Sequence, residues 1–276
     1  MKILIFGAGW IGKLCKEYWG DEAILIDEFI KSPGQAGHFI EKHKPDAVLN
    51  AAGIVGKPNV DWCEDHQFET FEGNTQLPLL IANACRKYGV YMLHIGTGCI
   101  YYGYKDGGWL PEDYANPVAV YTRTKYAADL VLATLPNVGI ARIRMPIHSV
   151  PSRANLIDKL ASYPKVVDVE NSATVVEDMQ MAFYKLMEQK VEGIFHVVNP
   201  GSITHKEILK LYEEHVDENH TNEWITAQEL TDLGLASKTR SNNVLNTESL
   251  EELGIEMRPI RVAVADAMEK YSKLKK

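Results

Sequence analysis

KILIFGAGWIG, residues 2–12, decides the fold. The short apolar run has no polar alternation, which predicts a strand buried on both faces, as in a parallel sheet. Gly7, Gly9 and Gly12 follow at G-x-G-x-x-G spacing, with Trp10 and Ile11 between the last two, and KLCKEYW (13–19) continues with helical spacing. Glycines there permit a tight turn and let the backbone approach a pyrophosphate, while the helix N-terminus faces the phosphate charge. A chance glycine cluster in a turn is the competing reading. The strand before, the helix after and an acid at the right distance weigh against it. That acid is Asp27, which closes the next apolar run, AILIDE (23–28), twenty residues after Gly7. A carboxylate there suits the ribose hydroxyls of NAD(H) and repels a 2′-phosphate, so NADH is favoured, although a nearby base could still accommodate NADP(H).

The pattern repeats outward. DAVLNAAG (46–53), VYMLHIG (90–96) and GIARIRMP (139–146) read as strands, and the stretches 74–88 and 120–135 read as helices. Short apolar runs alternating with amphipathic helices predict an α/β fold, a Rossmann-type doubly wound parallel sheet with helices on both faces. After Pro146 the texture changes: PSRANLIDKLASYPKVV reads as a loop, a helix and a short strand, and GIFHVVNPG (193–201) as one more strand of the sheet. Residues 203–276 read as mostly helical and polar. The expected plan is a dinucleotide-binding domain over 1–147, with 172–199 returning to it, and a smaller C-terminal substrate-binding lobe from 148–171 and 200–276.

With 276 residues, 46% of them apolar, the chain can bury a sizeable core. A net charge of −8 and no Lys/Arg cluster speak against a nucleic-acid partner. No apolar run approaches the roughly 18 residues of a membrane span, and MKILIF is too short and too soon broken by glycine for a signal peptide. The cysteines Cys15, Cys63, Cys85 and Cys99 form no C-x-x-C pair. Neither a zinc site nor a disulfide framework is indicated, and free thiols fit a cytoplasmic protein. Cys15 and Cys85 fall on apolar helix faces and read as core. Asp65 and His66 beside Cys63 hint at a metal, but three consecutive residues chelate poorly, so no metal is expected and Cys63 reads as structural or substrate-adjacent.

Tyr121 and Lys125 stand four apart in a helical stretch and share a face. An ammonium near a phenol lowers the phenol's pKa, and the phenol can then give a proton to a carbonyl as hydride arrives. Thr97, at the end of a strand, could hydrogen-bond the same carbonyl oxygen. A Tyr-x-x-x-Lys pair alone is common and is usually a half-exposed surface pair. Together with the glycine loop, NAAG (50–53) and a hydroxyl at a later strand end, it resembles the extended short-chain dehydrogenase/reductases over nearly the whole chain. The resemblance implies Tyr121 as general acid, Lys125 as its activator and ribose ligand, and Thr97 as carbonyl partner. It also implies that Ala51, Ala52 and Gly53 line the cofactor and that Asn74 braces the central helix.

GKPNVDWCEDH (56–66), IGTGCIY (95–101), RIRMPI (142–147), NLIDKL (155–160), VVNPGSITHKEIL (197–209) and RSNN (240–243) are more particular. Together they resemble the nucleotide-rhamnose synthases, the 4-keto-6-deoxyglucose 3,5-epimerase/4-reductases, which are related to the dTDP-4-dehydrorhamnose reductases. Those reductases typically carry S-T-D-Y-V-F where this chain has Gly98 and Cys99 at the aspartate and tyrosine positions. GDP-fucose synthases, which also epimerise, carry S-S-C-I-Y. The resemblance implies that Cys99 and Lys159 exchange protons with the sugar. It further implies substrate contacts from Asn59, Arg144, Asn155, Arg240, Asn242 and Asn243. The nine histidines show no H-E-x-x-H spacing, and His205 is a candidate for shaping the lobe. Plant members lack an acid like Asp27 and favour NADPH, a departure recorded at that position.

The chemistry agrees. A C4 ketone acidifies the protons at C3 and C5, inversion needs one group to take a proton and another to return it, and a thiol or a desolvated amine is suited to this near neutral pH. The expected activity is an NAD(P)H-dependent conversion of a UDP- or dTDP-linked 4-keto-6-deoxyglucose to the β-L-rhamnose nucleotide. The chain is expected to follow a separate 4,6-dehydratase, and a homodimer is the candidate assembly. A reductase without epimerisation, a fucose-synthase-like enzyme and a non-catalytic cofactor-binding subunit are the alternatives. A free cysteine is most often a small buried hydrophobe, and a lysine in a polar helix is usually solvated.

Overall fold

The computed structural model describes residues 1–275. Along the chain come β1 (Ile3–Phe6), α1 (Trp10–Trp19), β2 (Ala23–Ile26), α2 (Pro33–His43) and β3 (Ala47–Asn50). Short α3 (Trp62–Asp65) and α4 (Gln67–Phe71) lead through a π-helical turn, Glu72–Gln76, into α5 (Leu77–Tyr88). Then follow β4 (Tyr91–Thr97), a 3₁₀ turn over Gly98–Ile100, α6 (Val120–Leu132) and β5 (Val138–Ile143). The remainder is β6 (Pro146–Ile147), α7 (Leu156–Ser162), β7 (Lys165–Val167), β8 (Glu170–Asn171), β9 (Thr174–Val175), α8 (Val176–Gln189) and β10 (Gly193–His196). The chain ends with β11 (Ile203–Thr204), α9 (His205–His215), β12 (Glu223–Ile225), α10 (Ala227–Asp232), α11 (Glu248–Glu251) and α12 (Ile260–Lys275).

Six strands form one sheet in the order β10-β5-β4-β3-β1-β2. Ile3 pairs in parallel with Ala23 on one side and with Ala47 on the other, and Ala47 pairs with Tyr91. Every residue of β1 and of β3 is buried, as expected where helices cover both faces. Because β2 lies on one side of β1 and β3 on the other, the strand order reverses there, and a crevice opens at the carboxyl ends of β1 and β3.

The chain divides into two compact units. The first comprises Met1–Ile100, Pro117–Arg142 and Phe183–Phe195; the second comprises Tyr101–Asn116, Ile143–Ala182 and the chain from His196 onward. In the first, Leu4, Phe6, Val48, Ile81, Met92, Leu132 and Ile140 belong to one core. In the second, Ile147, Ile157, Val175, Ile208, Val264 and Tyr271 belong to another.

Two segments differ from the expected plan. Residues 101–116 join the second unit, because Trp109 N–H donates to Val244 O at 2.9 Å, Asn246 N–H returns a bond to Trp109 O at 2.9 Å, and Tyr101 stacks on Trp109. The first-unit share of the returning segment is 183–195 rather than 172–199. Within 203–276 the texture is also less helical than its polarity predicts: 236–247 is irregular, with Ser241, Asn242 and Asn243 side chains hydrogen-bonded within the second unit.

Candidate active site

The glycine loop is explained position by position. Gly7 has φ 104°, and a Cβ there would lie 2.4 Å from Ala52 N; a Cβ on Gly12 would lie 2.0 Å from Gly7 O. Gly7 is demanded by the close approach of the Ala51–Ala52 backbone after β3, and Gly12 by the close approach of α1 to the turn at Gly7. Gly9 is different. Its backbone is extended at φ −70°, and a Cβ there would meet nothing within 4 Å. Neither conformation nor packing asks for glycine, so what the missing side chain keeps clear is the open space in front of α1. No acid stands in the first turn of α1 and no side chain caps it, so the positive end of the helix dipole has no carboxylate of its own there.

That space is a cleft of about 410 Å³ lined by Gly7, Gly9, Asp27, Ala51, Ala52 and Gly53. Trp10, Ile11 and Gly12 form the first turn of α1. Asp27 and Glu28 stand together at the cleft's edge beyond β2. Asn74, in the π-helical turn, accepts from Ile54 N–H at 2.8 Å, donates to Ile54 O at 2.8 Å and reaches Thr124 Oγ1 at 3.4 Å. One side chain thus fastens the loop after β3 to α6. The wider π turn permits this by rotating Asn74 off the regular helical face.

Thr97 and Cys99 stand where β4 runs out, and Cys99 N–H donates to Thr97 Oγ1 at 3.2 Å. Tyr121 and Lys125 occupy the first turns of α6. Burial pushes the Tyr121 phenol's pKa up, nearby Cys99 adds to this, and a hydrogen bond with Thr97 opposes it. The phenol therefore stays protonated near neutral pH. Lys125 is buried, and burial lowers its ammonium to about 8 against the opposing pull of Asp129. Its Nζ donates to Ile95 O at 2.6 Å and lies 3.2 Å from His94 Nε2. Asp129 pairs with Arg142 at 2.8 Å with both side chains 1% exposed. Gly96 lets the pair pass, since a Cβ there would come within 3.1 Å of Arg142 Cγ.

A family model for the RmlD substrate binding domain matches residues 1–273. The chain belongs to this family. A bifunctional dTDP-4-dehydrorhamnose 3,5-epimerase/dTDP-4-dehydrorhamnose reductase of Arabidopsis thaliana is 35% identical over 267 residues, covering 90% of this chain and 86% of the relative. The crystal structure of the L780 UDP-rhamnose synthase from Acanthamoeba polyphaga mimivirus superposes with a TM-score of 0.90 at 29% identity, over 98% of this chain and 99% of that one. The Arabidopsis trifunctional UDP-glucose 4,6-dehydratase/UDP-4-keto-6-deoxy-D-glucose 3,5-epimerase/UDP-4-keto-L-rhamnose-reductase RHM1 is 31% identical over 99% of this chain, but the chain spans only 42% of that protein.

Several residues expected to meet substrate have internal duties in the fold. Asn59 Oδ1 accepts from Asp61 N–H at 2.8 Å within its own loop. In the second unit Arg144 is 1% exposed; its guanidinium donates to Ser241 Oγ at 3.1 Å, to Ser241 O at 2.6 Å and to Asn171 Oδ1. Asn155 caps α7 and donates to His148 O at 2.7 Å and Val150 O at 3.1 Å. Asn243 donates to Tyr101 O at 2.8 Å, and Asn242 Oδ1 accepts from Asn171 at 3.2 Å. Arg240 stays half-exposed on the same loop. Lys159 lies on α7, half-buried, and burial lowers its pKa. His205 Nδ1–H donates to Val167 O at 2.8 Å, and burial lowers the imidazole's pKa.

Cys15, Cys63 and Cys85 are buried free thiols, and burial raises the pKa of each. Among the described residues no group of three or more His, Cys, Asp and Glu could hold a metal, and no helix is long and apolar enough to cross a membrane. The sequence reading missed His94 and the polar use of Asn50. Both lie inside apolar strand runs, and an unexplained polar residue at the centre of such a run was the available signal.

Proposed function

We propose that this chain is a bifunctional NAD(P)H-dependent 3,5-epimerase/4-reductase. Its substrate is a UDP- or dTDP-linked 4-keto-6-deoxyglucose and its product the corresponding β-L-rhamnose nucleotide. The observation that carries the reading is local: the end of β4 presents a hydroxyl, Thr97, and a thiol, Cys99, to the same half-buried phenol, Tyr121. The relatives' activities supply the substrate class.

The residues divide the work. The N-terminus of α1, Gly9 and the Ala51–Gly53 loop hold the cofactor's phosphates and ribose. Asp27, with Glu28 beside it, favours free ribose hydroxyls and hence NADH. Cys99 and Lys159 remove and return the protons at C3 and C5 while the C4 oxygen rests against Thr97 and Tyr121. A half-buried lysine of lowered pKa suits that exchange. The bound cofactor supplies the hydride for C4. Tyr121, held protonated by burial, gives its proton to the C4 oxygen, and Lys125 steadies the phenolate that remains. Arg240 reaches for the diphosphate. A 4,6-dehydratase, the activity fused in the trifunctional relatives, supplies the substrate. A cytoplasmic setting and a homodimer complete the proposal.

The test follows substrate and solvent together. Purified protein in heavy water, given the 4-keto sugar linked to UDP or dTDP and either NADH or NADPH, should consume cofactor and place deuterium at C3 and C5. Cys99→Ser should abolish the deuterium while leaving reduction of already epimerised sugar largely intact. Reduction without deuterium at either carbon would make the enzyme a reductase only, and no cofactor consumption with any substrate would sink the proposal.

A further inference from the structure

Behind the Tyr121–Lys125 face runs a row of buried polar groups that the reaction just described does not use. Ala52 N–H donates to Asn50 Oδ1 at 3.2 Å, which fixes the orientation of the Asn50 amide. Its Nδ2 then donates to His94 Nδ1 at 3.0 Å. A neutral imidazole that accepts at Nδ1 carries its proton on Nε2. That nitrogen stands 3.2 Å from Lys125 Nζ. An amine has a lone pair for the Nε2–H; an ammonium has none and would set N–H against N–H.

We propose that His94, locked as its Nε2–H tautomer by Asn50, is a positioning residue for the Tyr–Lys pair that stabilises the unprotonated amine of Lys125 and so makes the Lys125 ammonium a stronger acid. The proposal rests on the reading of Tyr121 as the proton donor in reduction. Hydride and the phenol proton turn the ketone into an alcohol and leave Tyr121 as phenolate. The phenolate takes a proton from the Lys125 ammonium, the amine left behind accepts the Nε2–H of His94, and solvent returns a proton to Lys125.

The surroundings permit this. Asn50 and His94 are each 0% exposed, so the row's donors and acceptors answer to one another rather than to water. His94 is kept neutral by burial first and by the charge of Lys125 second. The charged groups nearby are Asp129 on α6, which draws Lys125 toward the ammonium, and Arg142 on β5, which pairs with that carboxylate at 2.8 Å. Tyr121 on α6 and Thr97 and Cys99 at the end of β4 complete the set.

Nuclear magnetic resonance tests this without turnover. In the wild-type protein, one pH unit above the Lys125 midpoint, long-range ¹H–¹⁵N correlations should show His94 protonated at Nε2; a proton on Nδ1 overturns the proposal. The Lys125 midpoint is then followed through its ¹³Cε resonance, assigned by its loss in Lys125→Met. His94→Gln offers the ammonium a carbonyl oxygen without adding charge. Asn50→Asp would accept from Nδ1–H and turn Nε2 into an acceptor. Each should raise the midpoint from about 8 by roughly one pH unit, a tenfold weaker acid, and move the alkaline limb of the reduction profile up equally. An unchanged midpoint in either folded variant would refute the role. Should the sugar-reductase reading fail, the midpoints still report on His94; should the midpoints not move, the sugar assay stands.

Discussion

Lys125 in the first unit and Arg144 in the second are both buried cations at positions that the sequence marks as functional, and their surroundings differ in kind. Arg144 has three oxygen acceptors, two on Ser241 and one on Asn171, matched to a planar guanidinium that cannot lose its proton. Lys125 has one carbonyl oxygen and an imidazole, and its pKa sits at about 8. One cation is built to stay and to hold a loop. The other is built to change charge. Tyr121 and Lys125 in the first unit should therefore fail in activity when altered, and Arg144 and Asn155 in the second in stability.

The largest effect expected is at Tyr121. Tyr121→Phe removes the proton donor and keeps the ring, so kcat for reduction should fall by about a hundred- to ten-thousandfold. Thermal unfolding and cofactor binding, read by calorimetry and by quenching of bound nicotinamide fluorescence, should stay as in the wild type. A loss of melting temperature in step with activity would erase the distinction between the two units.

Arg144→Met comes next and probes the other side. It leaves Ser241 O without its donor, at about 1–3 kcal/mol for the unsatisfied carbonyl, and takes one of the donors from Asn171 Oδ1, which keeps Asn243 N–H at 3.0 Å. The urea midpoint should fall accordingly while the KM for the nucleotide sugar, measured on the folded fraction, stays within about twofold, since a change that small is under 0.5 kcal/mol. A KM raised tenfold with an unchanged midpoint would return Arg144 to the substrate, where the resemblance put it.

The same contrast explains what the sequence could and could not tell. β1, the glycine loop and Asp27 were legible because each is local: apolar run, tight turn and acid follow one another within 27 residues. Tyr121 and Lys125 were legible because helical spacing places them on one face. The internal bonds of Arg144 were not legible because its partners, Ser241 and Asn171, stand 97 and 27 residues away, and no periodicity announces such a bond. His94 was passed over for a related reason. Its meaning depends on Asn50, 44 residues earlier on the neighbouring strand, and only the register of β3 on β4 brings Asn50 opposite His94. The 101–116 segment went to the wrong unit because its pairing with 244–246 depends on backbone groups, which a sequence does not distinguish.

Asn155 gives the smallest effect and the finest test. Its side chain is 0% exposed, accepts from Ile157 N–H at 3.3 Å as the cap of α7, and ties His148 O and Val150 O to that helix. Asn155→Ala removes the cap and should cost about 1–2 kcal/mol, seen as a lower urea midpoint. Because α7 also carries Lys159, fraying could reach the sugar chemistry, and the two readings part on rate. If Asn155 serves the fold alone, deuterium exchange at C3 and C5 per folded molecule stays near that of the wild type. If it touches the sugar, exchange and KM change together at denaturant-free stability. Asn155→Ser, whose hydroxyl also caps a helix, should recover the midpoint, and in the first case only the midpoint needs recovering.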